Sequence, residues 1–105
     1  MIARIWRGVT RAEDAEENEA YIEATGFAAY KRAEGNRGAW ILKRIDGERA
    51  EFMTLSFWNS LEAVEQFAGH DINRAVYYPE DDRYLIERDA TVSHYEVGEG
   101  EGGGS

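Results

Sequence analysis

The sequence predicts an α+β fold: a ferredoxin-like βαββαβ chain, one four-stranded antiparallel sheet with two main helices on one face. Three observations carry this. Strand-like, β-rich runs stand at both ends and in the middle of the chain. Two cap-and-period patterns place helices between them. Asp46-Gly47 separates two apolar runs, the strongest short hairpin signal available.

Each element has a local reason. Residues 1–9 (MIARIWRGV) alternate and read as the first strand. Thr10 and Glu13 have the spacing of a capping box, and the acids Glu13, Asp14, Glu16 and Glu17 suit the positive end of a helix dipole. The first helix is expected to run to about Arg32, with a break or kink at Thr25-Gly26. Residues 39–45 and 50–58 form the central hairpin. Asn59-Ser60-Leu61-Glu62 caps a short helix over 61–68, which Gly69 ends. A helical turn or two is expected over 71–77, and the last strand over 86–97.

Alternation along the central strand sends Phe52, Thr54, Ser56 and Trp58 to one face and Met53, Leu55 and Phe57 to the other. Two helices cover only one face. Leaving the other wet forfeits about 1.5–3 kcal/mol per large apolar side chain, so a second copy packed sheet to sheet is expected. The structured domain spans 1–97. Residues 98–105 (GEGEGGGS) read as a Gly-rich disordered tail or an expression linker.

Composition narrows the function classes. The 43% hydrophobic content with Trp 3, Tyr 6 and Phe 4 is too apolar for a disordered chain. A net charge of −9 repels phosphate backbones, so no nucleic-acid partner is expected. Zero cysteines exclude a disulfide framework, a thiolate zinc site and a cysteine nucleophile. No apolar run approaches the ~20 residues of a membrane span, and a cytoplasmic protein without a membrane partner is expected.

The chemistry-bearing residues gather between positions 65 and 84, EQFAGHDINRAVYYPEDDRY. His70 either caps the helix ended by Gly69 or works as a general acid or base near neutral pH. Of Tyr77 and Tyr78, one phenol is expected to project into a cavity as a hydrogen-bond donor, and Glu80-Asp81-Asp82 reads as a solvated turn. His94 lies in a strand and reads as structural. The two histidines lack the i, i+4 spacing of a helical metal motif, and no metal site is expected. Alanine-rich helices facing wide sheet aromatics leave room for a planar ligand.

The stretches MIARIWRGVT, EGNRGAWILKR, SFWNSLEAVEQFAGHDINRAVYYPEDDRYL and SHYEV resemble the antibiotic biosynthesis monooxygenase family over residues 1–97. The resemblance implies a dimeric α/β-barrel homodimer and two known chemistries. Some members oxidise phenols, anthrones or quinols with dioxygen and no cofactor; related proteins bind and degrade haem. Where the haem degraders carry an asparagine, a tryptophan and a ligating histidine, this chain carries Trp6, Phe67 and Tyr77, so haem is a weaker expectation than cofactor-free oxygenation. The resemblance implies a cavity at Trp6, Phe67 and Tyr77, joined by His70, Asn73 and Arg74. In that reading His70 takes the substrate proton, Tyr77 or Asn73 holds the oxyanion, and Arg74 and Tyr78 bind substrate. Trp6, Trp40 and Phe67 enclose the ring. The same cavity suits a non-catalytic dimeric binder of a planar hydrophobic ligand, haem included, or an engineered catalyst on this scaffold.

Overall fold

The computed structural model of the protein describes residues 1–98; all of the Gly-rich tail after Gly98 lies outside the described residues. The chain runs β1 (Ile2–Arg11), a 3-10 turn (Ala12–Asp14), α1 (Ala15–Ile22), a π-helical turn (Glu23–Phe27) and α2 (Ala28–Arg32). It continues through β2 (Asn36–Asp46), β3 (Arg49–Trp58), α3 (Leu61–Ala68), α4 (Asp81–Tyr84), β4 (Leu85–Arg88) and β5 (Ser93–Glu96). All strand pairs are antiparallel, in the order β2-β3-β1-β4, with β5 also on β1. This is the expected α+β sheet with its helices on one face.

The β2–β3 hairpin turns at Gly47, whose φ of 62° explains the glycine after Asp46. Helix α3 spans the expected residues, with the Ser60 hydroxyl accepting from the Ala63 amide at 3.2 Å. The expected break at Thr25-Gly26 is a π-helical turn, where the Thr25 hydroxyl donates to the Tyr21 carbonyl at 2.7 Å.

Three local expectations are corrected. The Thr10–Glu13 capping box does not form: β1 stays paired with β3 through Arg11, and the Thr10 hydroxyl donates to the Arg11 carbonyl. Ladder pairing wins over the cap because it satisfies more backbone groups at once. Residues 71–77 are not helical, since the backbone of residues 73–75 pairs with residues 90–92 instead, and the short helix forms later, at α4. The last strand is split into β4 and β5. Between them the chain pairs instead with the segment after α3: the Ala75 amide donates to the Ala90 carbonyl at 3.1 Å and the Val92 amide to the Asn73 carbonyl at 2.8 Å.

The strand register explains where the core sits. Across the helix-covered face, β1 and β3 align Ile2 with Trp58, Arg4 with Ser56, Trp6 with Thr54, Gly8 with Phe52 and Thr10 with Ala50. One apolar cluster forms at Ile2, Trp58, Ala63 and Val64, and a second at Ala15, Ile22, Ala50 and Phe52. The rows between them hold buried Arg4, Ser56 and Thr54, so the core has a polar waist. On the opposite face Trp40, Leu42 and Tyr95 are exposed while Met53, Leu55 and Phe57 are half-buried.

Gly35 joins α2 to β2 at φ 85°, and a Cβ there would stand 2.6 Å from that of Ala63 on α3. Gly35→Ala is expected to destabilise the fold by about 1–3 kcal/mol, read as a lower urea midpoint at unchanged slope. An unchanged midpoint would show that the two elements are not in close contact.

Candidate functional site

The polar waist opens into a cavity between the sheet and the helical layer, with a volume of about 60 Å³. Its walls include Arg4 and Trp6 from β1, Asn18 from α1, Gly26 from the π-helical turn and Thr54 from β3. Phe67, Val76, Tyr77, Tyr78 and Asp81 close it from the far side.

Arg4 follows from alternation: Ile2 and Trp6 face the helices, so the residue between them two positions away must as well. It is 3% exposed. Its Nη1 donates to the Ile72 carbonyl at 2.7 Å and lies 3.0 Å from His94 Nε2; Nη2 reaches the Arg74 carbonyl at 3.4 Å. The guanidinium also lies 5.9 Å from the Phe67 ring centre. Burial lowers the Arg4 pKa, opposed by Tyr30. Among the described residues no carboxylate pairs with it.

His94 is the sheet neighbour of Arg4. A guanidinium only donates, so His94 Nε2 accepts and the ring proton sits on Nδ1, which is buried without a partner. Burial first and the Arg4 charge second lower the His94 pKa, keeping the ring neutral.

Trp6 Nε1 donates to the Tyr77 hydroxyl at 3.1 Å, and that hydroxyl donates to the Asp89 carbonyl. The two rings meet edge to face with centres 6.1 Å apart, and the Arg88 guanidinium lies 4.4 Å above the Tyr77 ring. Burial raises the Tyr77 pKa, so the phenol stays protonated. Burial likewise raises the Tyr78 pKa.

Asp81 is only 9% exposed, and its Oδ2 accepts from the Tyr78 amide at 2.6 Å. Burial raises its pKa against the opposing effect of that amide. The cavity thus has a fixed cation in Arg4 and a basic carboxyl in Asp81. That is a usable pair for taking a proton from a ligand and holding the resulting anion.

The eight expected site residues divide. Trp6, Phe67, Tyr77 and Tyr78 border the cavity. His70, Asn73, Arg74 and Trp40 do not, and their placement there is corrected. The His70 side chain is fully exposed past Gly69 and stands 3.0 Å from Glu65 of the preceding helix α3. Asn73 and Arg74 are exposed, and only their backbone carbonyls serve the interior. Trp40 pairs with Leu55 in register, so it lies on the uncovered face, 52% exposed. Asp81, expected in a solvated turn, is instead buried. Arg4 and Asn18 were not singled out, although both lie in buried patterns: Arg4 on the inward parity of β1, and Asn18 on the stripe of Ala15 and Ile22. Among the described residues no acidic and histidine side chains cluster as a metal site, and no helix is long and apolar enough to cross a membrane.

No family model matches the chain, and no curated protein does. Solved structures do share its fold. A Bacillus cereus protein described as an antibiotic biosynthesis monooxygenase superposes with a TM-score of 0.66 at 12% identity, covering 95% of this chain and 97% of that one. Rv0793 from Mycobacterium tuberculosis gives 0.63 at 18% identity over 94% and 96%. The haem degrader MhuD from Mycobacterium tuberculosis, solved with two haems in its active site, gives 0.62 at 20% identity over 97% and 100%. The chain has the fold of the antibiotic biosynthesis monooxygenase-type proteins.

Neutral His94 has a pH consequence. Its folded pKa lies below the ordinary value of 6.5, so the unfolded chain takes up the proton first as pH falls. This contribution to stability is complete above pH 6.5 and is lost as pH drops from there through the folded pKa. His94→Gln is expected to flatten the decline in urea midpoint below 6.5; a decline identical to wild type would contradict the assignment.

Proposed function

We propose that the protein is a cofactor-independent monooxygenase acting on a small phenolic aromatic with dioxygen. One observation supports this reading above the others: Arg4, buried without a carboxylate partner among the described residues, shares an aromatic-walled cavity with Asp81, whose pKa burial raises. A phenol whose hydroxyl reaches into this site is drawn toward ionisation by the guanidinium, while burial makes Asp81 the better proton acceptor. The two pKa values approach each other, which is the condition for useful general-base catalysis.

The remaining chemistry belongs to the substrate. The phenolate gives one electron to dioxygen, and the superoxide formed adds at the unsubstituted para carbon. The resulting hydroperoxide loses water. One oxygen atom becomes a ring carbonyl; the other leaves with the ring hydrogen and the phenolic proton held by Asp81. Phenol and dioxygen give quinone and water, so no outside reductant enters. Arg4 stabilises each anion in turn. Trp6, Tyr77 and Phe67 exclude water, and the Tyr77 phenol acts as a fixed neutral wall.

The group bound by MhuD fits these residues poorly. Tyr77, the cavity residue placed for ligation by the resemblance, has its hydroxyl engaged by Trp6 and Asp89, and burial holds it protonated. His94 Nε2 is engaged by Arg4.

We further infer a homodimer, because Trp40, Leu42 and Tyr95 lie exposed beside Met53, Leu55 and Phe57 on the uncovered sheet face. Light scattering is expected to give twice the chain mass for wild type and the single mass for Leu55→Glu. A wild-type monomer would contradict this.

The activity is tested by dioxygen uptake of metal-free protein with 1-naphthol, whose product is 1,4-naphthoquinone. Asp81→Asn is expected to lower kcat/KM on the order of 100-fold, and His70→Ala to leave it unchanged. On the acid side kcat/KM falls as Asp81 takes up a proton, at a pH above its ordinary value of 3.8, and this limb disappears in Asp81→Asn. Loss of activity in His70→Ala, or its retention in Asp81→Asn, would overturn the assignment of the base.

A further inference from the structure

Asn18 adds a second unspent donor to the cavity. It is 1% exposed, lines the same space as Arg4, and its Nδ2 has no hydrogen-bond partner among the described residues. Buried amide groups are almost always paired, and an unpaired one is destabilising. Arg4 is in a similar position. Its observed partners are two backbone carbonyls, a neutral imidazole, an aromatic ring face and the Tyr30 phenol, and none of them is a carboxylate that would neutralise a buried charge. Among the described residues nothing uses these two donors fully. A bound anion with two acceptor oxygens satisfies both, and a carboxylate is the small group with that geometry. A phosphate dianion suits the site less well, because Asp81 lies on the same cavity wall.

The space agrees with a ligand in two parts. At about 60 Å³ the inner cavity is well below the ~150 Å³ of an apolar cavity that admits benzene, so it takes a head group and not a ring. Beyond it lies an outer cleft of about 440 Å³ bounded by Ala29, Ala33 and Gln66. Phe67, Val76 and Tyr78 border both spaces and form the partition between them. Across from Tyr78 stands Gly26, where even an added Cβ would be 3.9 Å from the ring, so the tyrosine has room on that side.

Building on the oxygenase reading above, we propose that Arg4 and Asn18 form a carboxylate subsite and that the substrate is an ortho-hydroxyaryl carboxylate. The carboxylate occupies the inner cavity between the guanidinium and the amide. The ring parts Phe67, Val76 and Tyr78 and lies in the outer cleft. A hydroxyl ortho to the carboxylate stays near the inner cavity and Asp81, and the open para carbon faces the cleft, from which dioxygen arrives. Loss of the phenolic proton to Asp81, one-electron transfer to dioxygen, recombination at the para carbon and loss of water then proceed with the balance given above.

Two measurements test this separately from the oxygenase reading. By calorimetry, 2-naphthoate is expected to bind wild type at least ~10-fold more tightly than neutral 2-naphthamide. Asn18→Asp places a carboxylate beside Arg4 in the ligand's stead. It is expected to abolish that preference while raising the thermal midpoint, which separates a filled subsite from a damaged fold. In dioxygen uptake, 1-hydroxy-2-naphthoate is expected to exceed 1-naphthol in kcat/KM by roughly 10-fold or more. Equal binding of naphthoate and naphthamide, or a preference that survives in Asn18→Asp, overturns the carboxylate subsite. Turnover of 1-naphthol at the same rate as its carboxylate also overturns it and leaves the oxygenase standing. Selective binding of naphthoate without uptake on either substrate upholds the subsite and removes the oxygenase.

Discussion

A guanidinium held inside the helix-covered face of the sheet organises this molecule. Arg4 sits where strand alternation calls for an apolar side chain, and its presence divides the core into two clusters with polar rows between. Uncompensated burial of such a charge opposes folding by several kcal/mol. The apolar clusters on both sides, centred on Trp58 and Phe52, each 0% exposed, supply the stability that tolerates it. The cavity arises at the same place because polar rows cannot close against helices as tightly as the aromatic and aliphatic rows do.

Arg4 also connects the strand to the segment that finishes the site. By donating to the Ile72 and Arg74 carbonyls it fixes the chain just past α3, and the amides and carbonyls of residues 73–75 then pair with residues 90–92. That pairing splits the last strand and delivers Tyr77 and Tyr78 to the cavity. Pro79 disfavours helical geometry at Tyr78, α4 begins two residues after the proline, and Asp81 at its start turns back to accept from the Tyr78 amide. A helix of four residues has little stability alone, so Asp81 depends on this chain of contacts for its buried position. Local sequence, strand register and proton chemistry are therefore linked through one side chain.

The fold was legible in the sequence because its signals are local and repeated. The Asp46-Gly47 turn, the Ser60 cap with Gly69 behind α3, and the alternation of β3 each act within a few residues, and each appears as expected. The π-helical turn at Thr25-Gly26 was foreshadowed by the same kind of local weakness. What failed involved competition between near and distant partners. Thr10 could cap a helix or extend a ladder, and a long pairing with β3 prevailed. The two histidines could be ranked only by what lies across the sheet from each: His94 faces Arg4, while His70 meets only Glu65 and solvent. Trp40 illustrates a parity error, since its register partner Leu55 already belonged to the uncovered face. Asp81 looked solvated among Glu80 and Asp82, and its burial depends on a tertiary contact that no short window contains. Arg4 was the legible signal left unread, a charged residue at an inward position of an apolar strand.

The most direct measurement is a crystal structure of the protein with 2-naphthoate, which asks where the anion goes. The account predicts carboxylate oxygens within hydrogen-bond distance of both the Arg4 guanidinium and the Asn18 amide, with the ring between Phe67, Val76 and Tyr78. A naphthoate whose carboxylate points to solvent, or one bound away from Arg4 altogether, would contradict the claim that this buried cation is kept for a ligand.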